Sequence, residues 1–82
     1  MAKRKKINFL WSAAGDWVGI YMDGEKIHEG HNVTVWQFVK LLKEQGITLP
    51  FSLEEGYATG EAAEEIEASG LCPVRFPEND WE

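Results

Sequence analysis

The sequence predicts an α+β domain: a three-stranded antiparallel β-meander packed on one amphipathic α-helix, with a short acidic helix and an optional C-terminal edge strand added. Three observations carry this. Large apolar residues line both faces of residues 17–22, an Asp23-Gly24 pair follows at once, and residues 34–46 hold helix signals at both ends.

The first strand is read at residues 7–11, where Ile7, Phe9 and Trp11 alternate with Asn8 and Leu10. Residues 12–16, with Gly15, form a link short enough to favour antiparallel return. The second strand puts Val18, Ile20 and Met22 on one face and Trp17, Gly19 and Tyr21 on the other, because successive side chains point oppositely. Asp23-Gly24 then marks a type I′ hairpin, since both residues tolerate the positive φ that turn requires. Counting outward from it pairs Met22 with Glu25, Tyr21 with Lys26, Ile20 with Ile27, Gly19 with His28 and Trp17 with Gly30. Val18, Ile20, Met22 and Ile27 become the core face. Trp17, Tyr21, Lys26 and His28 share the opposite face around the bare backbone of Gly19, a notch that a ligand or the C-terminal segment could fill.

The helix is the best-marked element. Thr34 and Gln37 match a capping box, and Val33 and Phe38 match the hydrophobic staple. Val35, Phe38, Val39 and Leu42 fall on one stripe, flanked by Trp36 and Leu41, while Lys43 and Gly46 suit the C-terminal end. Beyond it, residues 47–53 read as an edge strand or extended loop because of Pro50. Residues 61–69 read as a short helix whose four glutamates repel one another, residues 71–76 as the optional edge strand, and residues 77–82 as a loose acidic tail.

Eighty-two residues make one domain, 1–82, with a basic N-terminal arm at residues 1–6. A chain of this length buries only about 60 to 65 % of its unfolded surface and cannot fill two independent cores. Cys72 is the only cysteine, so no internal disulfide staples the chain, and the expected compartment is the cytoplasm. The basic start followed by residues 7–11 imitates a signal peptide, but its apolar part is short and broken by Asn8 and Ser12. No run approaches the roughly 18 apolar residues of a membrane span.

Charge is segregated: seven Lys and Arg against five Asp and Glu through Leu53, then one Arg against nine Asp and Glu. The acidic third suits a basic partner surface. No nucleophile elbow, Walker or dinucleotide pattern is present. The expected function is therefore a small acidic non-enzymatic protein-binding module, a regulator, inhibitor or accessory protein, with no cofactor and no metal. Its partner is another protein with a basic surface, or a second copy of the chain. The candidate contact residues are Trp17, Tyr21, Lys26, His28, Trp36, Glu61, Glu64, Glu65, Glu67 and Trp81.

Two alternatives follow from other residues. Lys3, Arg4, Lys5 and Lys6 could track nucleic acid phosphates, with Trp17, Tyr21, Lys26 and His28 as a stacking platform, although the net charge of −6 opposes this. His28 and His31, near Asp16 or Glu29, could ligate a metal or serve an enzyme only if they converge. A solvated His28 and a loop His31 explain the same residues more simply.

Overall fold

The computed structural model describes residues 5–47 and 51–82. The elements run β1 (Lys5–Trp11), β2 (Val18–Met22), β3 (Glu25–Gly30), α1 (Val35–Glu44), β4 (Phe51–Tyr57) and α2 (Gly60–Ser69). Asp23 and Gly24 both take positive φ, at 51° and 89°, and close the β2–β3 hairpin as the dipeptide predicts. The sheet order is β3-β2-β1-β4, so the chain is α+β with the meander intact.

The sheet is mixed, which corrects the all-antiparallel expectation. β1 pairs with β2 antiparallel and with β4 parallel, Ile7 facing Met22 on one side and Leu53 on the other. The reason is α1: it carries the chain from the β3 edge across β2 and β1 to the far edge, and a helical crossover delivers a parallel strand. β4 starts at Phe51 and occupies an edge of the sheet, as residues 47–53 lead one to expect, while residues 48–50 of that stretch lie outside the described residues. It extends through Glu54, Glu55 and Gly56, poor strand formers whose pairing with β1 overrides their propensity.

The hairpin register also departs from simple counting. Met22–Glu25 and Tyr21–Lys26 pair as expected, but Ile20 pairs with His28, Gly19 with Glu29 and Val18 with Gly30. Ile27 is the extra residue of a β-bulge, and one added residue swaps the face of everything after it. His28 moves off the Gly19 face, and Glu29 moves onto it.

Both faces of the sheet are covered. On one, Ile7, Ile20 and Leu41 form a cluster joined by Phe9, Ile27, Val33, Phe38, Leu42, Ile47 and Phe51. Phe38 stands edge-on to Phe9 at 5.3 Å between ring centroids. On the other, Leu10, Tyr21, Ala58, Ala62, Ile66, Cys72 and Phe76 form a second cluster, with Trp17, Ala63 and Trp81 packed against it. The capping box forms as read: Thr34 Oγ1 accepts from the Gln37 N–H at 3.1 Å and Gln37 Oε1 from the Thr34 N–H at 2.9 Å. Burial along α1 follows Phe38, Leu41 and Leu42, whereas Val35, on the same stripe one turn earlier, is 77 % exposed.

The C-terminal segment builds the second layer. Residues 71–76 make no strand; a single bridge joins Arg75 to Glu25, with the Lys26 N–H donating to Val74 O at 3.0 Å and the Phe76 N–H to Gly24 O at 2.8 Å. Residues 77–82 are docked rather than loose. Trp81 bridges to Ala58, its ring stands 5.0 Å from that of Phe76, and Tyr57 and Glu82 exchange backbone hydrogen bonds at 2.7 and 2.9 Å. A Cβ at Gly56 would run into the Trp81 ring, so glycine leaves the space the indole fills.

Candidate functional site

A cleft of about 440 Å³ opens between the β1–β2 loop and α2, lined by Ser12, Ala13, Ala14, Asp16, Trp17, His31, Ala63, Ile66, Glu67 and Gly70. The loop is held by buried Ser12. Its N–H donates to Trp17 O at 2.8 Å, its carbonyl accepts from the Gly15 N–H at 2.9 Å, and its hydroxyl donates to Asp16 Oδ1 at 2.8 Å. The Asp16 carboxylate is thereby oriented, and exposed Ala13 and Ala14 keep the rim small. From α2, Ala63, Ile66 and Glu67 recur at helical spacing and, with Gly70 at the cap just beyond the helix, form a facing wall.

Trp17 is fixed on two sides. Its indole Nε1–H donates to Glu29 Oε2 at 2.9 Å, and its ring meets His31 edge-on at 4.9 Å. The same Glu29 oxygen accepts from the Cys72 N–H at 2.8 Å, and Glu29 Oε1 takes the Lys26 ammonium at 2.6 Å. Lys26 Nζ also donates to Cys72 O at 2.9 Å, so the pair clasps the backbone of Cys72 from both ends. Burial pushes the Glu29 carboxyl up, but hydrogen bonds from Lys26, Cys72 and Trp17 outweigh it and hold the group below the usual range.

Beneath the clasp, burial, reinforced by the charge of Glu29, pushes the Cys72 thiol up to about 12. A thiol held protonated and covered is a poor nucleophile. Burial likewise raises the Tyr21 hydroxyl, which donates to Pro73 O at 2.5 Å.

The structure distributes the predicted contact residues over both sides of the sheet. Trp17 reaches the cleft. Tyr21 has 0 % exposure, and Cys72 fills the notch at Gly19, so the Gly19/Tyr21 part of the expected platform lies under the C-terminal segment. Lys26 is engaged in the clasp. His28 lies on the α1 side, where it lines a shallow depression with Gln37, Lys40, Leu41 and Glu44. It therefore does not converge with His31, and no group of three or more His, Cys, Asp or Glu able to hold a metal occurs among the described residues.

Trp36 projects from α1 at 83 % exposure, whereas Trp81 is packed against the second cluster. Glu61, Glu64, Glu65 and Glu67 are exposed on α2, and of these Glu67 lines the cleft. Lys3 and Arg4 fall outside the described residues. Lys5 pairs with Asp23 at 3.5 Å, and the Lys6 N–H donates to Asp23 Oδ1 at 3.0 Å. No helix among the described residues is long and apolar enough to cross a membrane.

The cleft has no signature in the sequence as a whole. Ser12 and Asp16, four apart in a short loop, are a local hydrogen-bonding pair that composition could have flagged. The approach of Ala63, Ile66 and Glu67 carries no local signal. In comparison with known proteins, the chain matches no family model, and neither a curated protein nor a solved structure is significantly similar to it.

Proposed function

We propose that the chain is a non-enzymatic protein-binding module, acting as a regulator, inhibitor or accessory protein by occupying a basic surface of its partner. One observation carries this reading: Glu61, Glu64, Glu65 and Glu67 are all exposed on one ten-residue helix, and none has an ion-pair partner among the described residues. Like charges at these spacings weaken an isolated helix, and cations from another molecule would relieve the repulsion. Charge of this kind chiefly accelerates encounter, while apolar anchors set the lifetime of a complex. Exposed Trp36, with Val35 beside it on α1, is an anchor of that sort on the other side of the sheet.

The test is affinity capture of the partner from the native cell with identification by mass spectrometry, followed by association kinetics at rising salt. The association rate is expected to fall from low to physiological salt and to fall further for a variant with Glu61, Glu64, Glu65 and Glu67 changed to Gln. An association rate indifferent to both changes would sink the electrostatic reading.

A further inference from the structure

We propose that the cleft between the β1–β2 loop and α2 receives an arginine side chain from the partner. This rests on the reading of the chain as a module for basic surfaces and names the group its concave site would hold.

The lining selects by charge. Asp16 and Glu67 come from separate segments, and among the described residues no Lys or Arg lines the cleft and neither carboxylate pairs with a cation. An anion would meet two carboxylates. A neutral apolar group would take water from them without replacing its hydrogen bonds, which is costly. A cation gains from both.

The rest of the lining favours guanidinium over ammonium. Ala13, Ala14, Ala63 and Ile66 offer apolar surface for a methylene stem, and the Trp17 and His31 rings stand at 85° to one another. A planar, weakly hydrated guanidinium stacks on aromatic faces and bonds carboxylates through two N–H groups, whereas an ammonium is compact and strongly hydrated. The site is also set before the ligand arrives, because Ser12 orients Asp16 and Glu29 orients Trp17. Such preorganisation lowers the entropic cost of binding. At about 440 Å³ the cleft lies in the size range of small-ligand sites and has room for an arginine together with a small flanking residue.

The test is a titration of the isotopically labelled full chain, followed by NMR, with N-acetyl-arginine amide, with its neutral isostere N-acetyl-citrulline amide, and with oligolysine. The arginine compound is expected to shift the Trp17 indole N–H and the Asp16, Ala63 and Glu67 amides saturably, and citrulline to leave them in place. Glu67→Gln, at an exposed position, should weaken that binding about two- to fivefold without unfolding the chain. Equal shifts with citrulline, or a cleft unmoved by arginine, overturn the assignment. Oligolysine separates the two ideas: shifts at Glu61 and Glu64 with the cleft silent to arginine leave the basic-partner reading standing and remove the cleft, whereas silence to every cation removes both.

Discussion

The backbone N–H of Cys72 donates to the carboxylate of Glu29 at 2.8 Å, across 43 positions of sequence. That bond, with the Lys26 ammonium on Cys72 O, ties the C-terminal segment to the β2–β3 hairpin, and the same carboxylate accepts from the Trp17 indole at the cleft. A structural tie and the candidate site thus share one carboxylate.

Replacing Glu29 should therefore be costly. Glu29→Ala leaves Lys26 Nζ, the Cys72 N–H and the Trp17 Nε1–H short of an acceptor, and a loss of about 2–4 kcal/mol is expected by urea denaturation. A loss below about 0.5 kcal/mol, the level of an ordinary surface change, would refute the role given to the clasp. Because the folded-state pKa is lowered, the contribution is fully present above the ordinary glutamate range and is lost as pH falls through the folded value. The acid limb of the stability curve should accordingly be shallower in Glu29→Gln than in the unaltered chain.

The alkaline limb belongs to Cys72 and Tyr21. Both are raised, so the folded state keeps protons that the unfolded chain releases, and stability falls as pH rises from the ordinary thiol range toward about 12 for Cys72. Cys72→Ala should flatten the first part of that decline. In the unaltered chain, the covered thiol should resist a disulfide reagent until the C-terminal segment opens, and Glu29→Gln should speed its labelling; immediate native-state reaction would contradict the burial.

Gly19 and Cys72 make a coupled pair. A Cβ at Gly19 would lie 2.8 Å from Cys72 Sγ, so Gly19→Ala is expected to cost about 1–3 kcal/mol by overpacking. Trimming the sulfur in the double variant Gly19→Ala/Cys72→Ala should recover part of it. Strict additivity of the two changes in a double-mutant cycle would show that the residues do not meet.

Asn8 offers the opposite sign. It is buried on the sheet, and its Nδ2 amide has no hydrogen-bond partner among the described residues. Asn8→Leu is expected to stabilise the fold by about 1 kcal/mol, since an apolar replacement removes an unmet donor. Thermal and urea unfolding should agree on the gain, and a destabilised variant would mean that the amide is satisfied.

Trp36 separates stability from association. With 83 % of its surface exposed, Trp36→Ser should change unfolding free energy by no more than about 0.5 kcal/mol. Any self-association seen by sedimentation through this anchor should vanish in the variant, and dimerisation unaffected by it would assign the contact to another surface.

The local elements are legible from the chain without its fold. Asp23-Gly24, the Thr34/Gln37 capping box and the alternation around Ile7 and Val18 specify a hairpin and a capped helix, because each depends on neighbours within a few residues. Which surfaces stay free depends on long-range contacts. The Ile27 bulge sent His28 and Glu29 to the faces opposite those that counting gives, and the crossover through α1 made β4 parallel. Residues 72–81 then covered the Gly19/Tyr21 face with Cys72, Phe76 and Trp81. These outcomes rest on contacts between segments tens of residues apart, where the gain from burying apolar surface and pairing Glu29 outweighs weak local preferences. The cleft was illegible for the same reason: its walls come from a loop and a helix that no local pattern brings together.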